Sequence, residues 1–434
     1  MRAIAPRNRQ LSLFSPTVSP CVGTSVPSAV QQALNLGAAL AISVSGGKDS
    51  DAMLRHLAAL HRSQRWTGQL FAITADLGRI EWPGTLEHIQ SVCTELDVEL
   101  IVVRRQKGSM IDRWDERRQV LISQQQEEER TIAPLRAESN LLEIAPLKEG
   151  SKPFWSSSTA RYCTKEMKTA EVDRYLRRFS AVVCAVGIRA EESSSRAKKP
   201  HFQVRNDITT ATLKASRGLN AEQHEEWATR ATALWIEGNF KGRLALTWNA
   251  VLDWPVEKVW ESMGTSVEEL QQRRALYQSG SLTAALREWP AHWAYVSGNS
   301  RLSCSMCVLA SAHDIQNGAK HNLTTWLELA LMEKQSGWSF QQGRWLSTLD
   351  IDLLKQVQAS QQLSEALYEL CLVKRWGLLF TLSLLTTTPV AVFMLWQNQA
   401  LEAIATIVSS KSAVGSRDAY GITQRNGTAL KQLE

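Results

Sequence analysis

Short apolar runs alternate with amphipathic stretches through the first half of this chain, and no other feature limits its fold as much. Leu40-Ala41-Ile42-Ser43-Val44, Leu70 to Thr74, Val98 to Val103 and Ala181 to Val186 have strand length and read as buried strands. Helical character in Ser28 to Leu36 precedes them, and Asp51 to Arg62 and Pro83 to Leu96 lie between them with helical patterning. Strand and helix joined by short connections dictate βαβ units, so the expected fold class is α/β, a doubly wound parallel sheet. Gln124 to Arg130, all glutamine, glutamate and arginine, reads as a solvated helix surface or insertion. Past about Glu222 the strands thin out, and amphipathic stretches such as Leu323 to Gln335 and Leu349 to Leu372 predict helices. The expected division is a loose arm over 1–25, a nucleotide-binding α/β domain over 26–220, a helical part over 221–345, and a helical C-terminal region over 346–434.

The first strand ends at Ser45-Gly46-Gly47-Lys48-Asp49-Ser50, and a helix follows directly. A polyphosphate needs main-chain N–H groups turned towards it, glycines let the backbone approach, and a helix start adds its positive end. The C-terminal edge of a strand is where an open α/β sheet binds ligands. In this reading Lys48 offsets phosphate charge, Ser45 and Ser50 donate hydroxyls, and Asp49 holds Mg²⁺ directly or through water. The competing reading is a plain glycine-lysine turn. The whole hexapeptide between strand and helix favours nucleotide binding, and it is not the Gly-x4-Gly-Lys-Ser/Thr loop of P-loop kinases.

The composition adds bounds. With 44% hydrophobic and 21% charged residues, 434 residues are enough for a sizeable core. A net charge of +6 permits an anionic partner without requiring one. The sixteen tryptophans are scattered, as core and pocket walls would be. Seven widely spaced cysteines do not form a secreted disulfide framework, and Met1 to Pro20 has no signal-peptide pattern, so the expected location is the cytoplasm. Trp376 to Leu401 carries no charge, but Thr386-Thr387-Thr388-Pro389 interrupts it. Two buried helices fit that interruption better than one membrane span.

Cys163 follows a segment dense in hydroxyls and cations, with Arg161, Lys165 and Lys168 beside it, which favours thiolate. Far along the chain, Cys304-Ser305-Met306-Cys307 puts two thiols within reach of one metal or cluster. The pair alone leaves three readings open: metal site, redox pair, or two buried apolar residues. Together with Cys163 it favours a shared metal site. Cys371, in Leu370-Cys371-Leu372, reads as core.

The hexapeptide resembles that of the PP-loop (N-type ATP pyrophosphatase) superfamily, an adenine nucleotide alpha hydrolase-like fold. Separated segments between about 38 and 345 resemble its phosphoadenosine-phosphosulfate (PAPS) reductase-like branch. Ala75-Asp76-Leu77-Gly78 resembles the branch's Asp-Thr-Gly, which implies that Asp76 helps form the nucleotide pocket. Gly187-Ile188-Arg189 through Arg196 resembles its Gly-Ile-Arg…Glu-Ser-x-x-Arg loop and implies that Arg189 and Arg196 bring paired guanidiniums to the same sheet edge. Asp253-Trp254-Pro255 with Val259-Trp260 resembles a packing segment. Cys163, Cys304 and Cys307 look like the [4Fe–4S]-binding positions of iron–sulfur members, including DndC-like DNA-phosphorothioation proteins. The fourth ligand is left open among Cys184, another group, or none. The Glu-Cys-Gly-x-His segment of thiol-dependent PAPS reductases is not found in this sequence.

The resemblance therefore implies an ATP-dependent sulfurtransferase that adenylates and thiolates nucleic acid, DNA ahead of RNA. Its cofactors would be ATP or a phosphosulfate nucleotide, Mg²⁺ and a [4Fe–4S] cluster. Its partners would be a cysteine desulfurase or other sulfur donor and further proteins, with no membrane. The alternatives are a phosphosulfate reductase producing sulfite, and a non-catalytic nucleotide-sensing subunit of a modification or defence complex.

Overall fold

The computed structural model describes residues 26–139 and 154–346. The chain runs α1 (Ser28–Asn35), β1 (Ala39–Ser43), α2 (Lys48–Gln64), β2 (Leu70–Ala75), α3 (Thr85–Glu95), β3 (Glu99–Val103), α4 (Met110–Ser139), α5 (Ala170–Leu176) and β4 (Ala181–Val186). It continues through β5 (Phe202–Val204), α6 (Ala221–Glu237), β6 (Leu244–Trp248), α7 (Val256–Glu261), α8 (Val267–Gln278), α9 (Ala312–His321) and α10 (Leu323–Ser336). Short helical turns lie between several of these.

The sheet order is β3-β2-β1-β4-β6-β5, parallel except for the last pair. Side-chain alternation splits each strand between two faces. Leu40 and Ile42 of β1, with Ala72, Val183, Leu244 and Leu246, pack under helices α1, α2, α3 and α6. Ala39 and Ala41, with Phe71, Ile73, Val182 and Cys184, face Val172 and Leu176 of α5. Both faces are covered, which is why the central strands read as continuous apolar runs. The expected α/β sheet is present, with helices on both sides.

One expectation needs correction. The part beyond Glu222, where strands were expected to thin out into a helical region, still gives the sheet one strand: Leu244–Trp248 is an interior strand, paired with β4 from Ala181↔Leu244 to Ala185↔Trp248. Phe202–Val204 is a further strand, antiparallel to it. Gln124 to Arg130 falls within the long helix α4. The 1–25 arm, Leu349 to Leu372, Cys371 and Trp376 to Leu401 lie outside the described residues. Among the described residues, no helix is long and apolar enough to cross a membrane.

The topology sets the site. After β1 the chain builds outward through β2 and β3, then returns to place β4 on the other side of β1. The β1–β4 boundary is thus the switch point, where loops diverge and leave a crevice. Ser43 and Val186 are register partners, so the segments following them leave the sheet at one level. Beyond this edge a third apolar cluster joins Leu77, Ile80, Trp114, Trp155, Met306 and Trp326, and the cysteines Cys163, Cys304 and Cys307 pack against it.

Candidate active site

At the switch point the Ser45–Ser50 loop is shaped by its own side chains. Gly46 has φ +71°, a left-handed conformation, and a Cβ there would meet Thr85 Cγ2 at 3.3 Å and Ile89 at 3.4 Å. The backbone conformation favours glycine, and the close neighbours leave little room for a side chain. Ser50 Oγ accepts the N–H of Ser45 at 3.2 Å and donates to Gly47 O at 2.8 Å. Its hydroxyl therefore holds the loop's curvature. Helix α2 begins at Lys48 with no side-chain cap. Among the described residues, no hydrogen bond uses the N–H of Gly46, Gly47 or Asp49. These amides at a helix start form a ready anion cradle.

Asp49 links the loop to the segment after β4. Its Oδ2 lies 3.0 Å from Lys48 Nζ and its Oδ1 2.5 Å from Arg189 Nε. Arg189 is buried and also reaches Glu191 Oε2 at 2.6 Å. Both oxygens of Asp49 are engaged, so a magnesium ion held there would compete with Lys48 and Arg189. Gly187 makes the contact sterically feasible: a Cβ on it would sit 3.0 Å from Asp49 O and 3.1 Å from Ser50 Cα. Arg196 pairs with Glu192. Burial pushes its pKa down, Asp49 opposes this, and the nearby guanidiniums of Arg301, Arg161 and Arg189 push it down further. The expected two arginines do reach the same edge, but each carries a carboxylate, and Arg161 and Arg301 join them.

Asp76, after β2, accepts the N–H of Gly78 at 2.7 Å and pairs with Arg104 at 2.7 Å. It lines a cavity of about 550 Å³ together with Arg79, Glu81, Trp82, Thr85 and Asn322. Thr85 belongs to both places, since its methyl group also borders Gly46. Burial pushes the pKa of Glu81 up to about 7, with Lys168 opposing and Asp76 adding. Trp254 and Trp260 are buried, in keeping with a packing role for their segment.

The cysteines come together from two distant segments. Burial raises the pKa of Cys304 to about 12; Lys168 opposes, and Cys307, Glu81 and Cys163 add to the rise. The Cys304–Cys307 segment is fastened by Ser305, whose N–H and hydroxyl both donate to Ile80 O at 2.9 Å. Three thiols around an apolar cluster with a nearby lysine match the donor chemistry of an iron–sulfur cluster. Their positions do not form a closed ligand set: among the described residues, no three His, Cys, Asp or Glu side chains are arranged to hold a metal ion. Cys184 stands apart, in the apolar layer between the sheet and α5.

Several neighbours of the loop carry no sequence signal. Tyr295 Oη accepts the N–H of Lys48 at 3.0 Å. Asp51 accepts from His88 Nε2 at 2.6 Å. His292 is fully buried; its Nδ1 accepts the N–H of Ala294, which leaves Nε2 to donate to Thr85 Oγ1 at 3.2 Å. Burial, with His88 adding, pushes its pKa down to about 3, so it is a neutral brace.

Residues 124–280 match the phosphoadenosine phosphosulfate reductase domain family. That segment is PAPS reductase-like. The match takes in Cys163, β4, the Gly187–Arg196 segment and β6, while the Ser45–Ser50 loop precedes it and the Cys304/Cys307 pair follows it. No curated protein matches the chain.

Proposed function

We propose that this PAPS reductase-like chain is an ATP pyrophosphatase that works as an iron–sulfur sulfurtransferase, adenylating and then thiolating nucleic acid, DNA ahead of RNA. The observation that carries the reading is the meeting, at one sheet edge, of the Ser45–Ser50 loop, a cationic rim that includes Arg196 and Arg301, and three thiols. ATP lies with its phosphates over the amides of Gly46, Gly47 and Asp49, and Asp76 borders the nucleotide. An acceptor oxygen attacks the α-phosphorus, and Lys48 with the loop amides stabilises the charge that develops as pyrophosphate leaves. A persulfide from a cysteine desulfurase or other donor attacks the activated centre with its outer sulfur and AMP departs with the acceptor oxygen; a second thiol then cleaves the S–S bond, which leaves the thiolated product and a disulfide. A [4Fe–4S] cluster, held by Cys163, Cys304 and Cys307, would supply an iron site able to carry sulfide. Mg²⁺ would neutralise the phosphates when bound. Partner proteins in the cytoplasm would present the acceptor.

The test is pyrophosphate release from ATP by anaerobically reconstituted protein with DNA or RNA. Lys48→Ala is expected to lower the rate about a hundredfold while the protein stays folded by circular dichroism. No release with any nucleic acid would sink the reading. The family match favours a second one, reduction of a phosphosulfate nucleotide. Sulfite formed from that nucleotide with a thiol donor would establish it instead.

A further inference from the structure

We propose that Tyr295 is a positioning residue that ties the phosphate loop to the cysteine segment, so that a change at one is passed to the other. Its hydroxyl oxygen accepts two main-chain N–H groups, Lys48 at 3.0 Å and Leu302 at 3.3 Å. Lys48 belongs to the loop; Leu302 stands two residues before Cys304. The inference rests on the reading of that loop as the nucleotide site.

The two sides of the bridge are held unequally. Tyr295 is 2% exposed, and its ring meets Trp260 edge-on at 5.3 Å. Arg274 donates to Tyr295 O at 2.9 Å and to Asn299 O at 2.7 Å. Asn317 donates to Asn299 Oδ1 at 2.6 Å, and Ser300 places its N–H and hydroxyl on Asp314 at 3.0 and 2.8 Å. The tyrosine is thus anchored on the cysteine-segment side and reaches out to the loop. Leu302 follows the same path close by the loop, since Cβ atoms built on Gly46 and Gly47 would meet it at 3.4 and 3.6 Å. A phenol oxygen that already accepts two N–H groups has no further lone pair to offer. A phosphate that draws the Lys48 amide towards itself takes it from Tyr295, and the remaining bond to Leu302 then holds the cysteine segment differently.

The test uses the full chain and Tyr295→Phe, which keeps the ring and removes only the bridging oxygen. Without nucleotide, hydrogen exchange is expected to quicken about tenfold in peptides covering both 44–50 and 298–307, with the 181–186 strand unchanged. Acceleration in only one segment, in neither, or throughout the sheet overturns the proposal. With ATP, alkylation of Cys304 and Cys307 is expected to change about threefold in the wild type and not in Tyr295→Phe; equal change in both also overturns it. A wild type that binds no ATP defeats the nucleotide reading, while the nucleotide-free exchange still decides the role of Tyr295.

Discussion

At Arg189 one guanidinium serves two carboxylates, and only one of them is shielded. Asp49 is 14% exposed and Glu191 53%, so the Asp49 contact is the one that water does not weaken. Arg189→Ala would leave Asp49 with Lys48 as its remaining direct ion-pair partner in a crowded crevice. A stability loss of about 3 kcal/mol is expected, read by urea denaturation. A loss under about 0.5 kcal/mol would show that the pair is not a buried pin. The sequence put Arg189 beside phosphate. Its partnership with Asp49 could not be read there, because it joins residues from two strands' loops that only the β1–β4 pairing brings together.

At the level of elements, the start of α2 and the end of β4 touch backbone to backbone at Gly187. A methyl group there meets main-chain atoms of Asp49 and Ser50, which cannot rotate away as a side chain would. Gly187→Ala is expected to cost about 1–3 kcal/mol and to weaken ATP binding, checked by a urea melt and a nucleotide titration of the same sample. Unchanged affinity would mean that the loop tolerates the shift. Four of the six strands were legible because each is an apolar run beside turn chemistry or a helical pattern. Leu244-Ala245-Leu246-Thr247-Trp248 was missed: it is five residues long, rich in helix formers, and made a strand by its pairing with β4. Tyr295 was invisible for a related reason, standing 247 residues from the amide it accepts. The glycines and lysine of the loop were readable because the local backbone needs them.

Across the whole molecule, two buried groups set opposite responses to pH. His292 is held neutral, so the unfolded chain binds more protons between about pH 3 and 6.5, and stability rises with pH there. Glu81 has its pKa raised from 4.5 to about 7, so the folded chain binds more protons in that window, and stability falls as pH climbs through it. Above about pH 6.5 only the Glu81 effect of the two remains. Glu81→Gln, neutral at every pH, is expected to gain on the wild type as pH climbs from about 4.5 to about 7, by on the order of 3 kcal/mol. Parallel melting curves over that range would count against it.

The sheet's two margins are unlike. On one side it closes with β5, three residues long and antiparallel, which offers an incoming chain almost no ladder to copy. On the other, β3 is a parallel strand of five residues with exposed Glu99 and Val102, followed directly by Arg104 and Arg105. Self-association through strand addition would therefore start at β3. Its charges stand there as gatekeepers, and a variant that removed them would be the first to form fibrils or insoluble expression product.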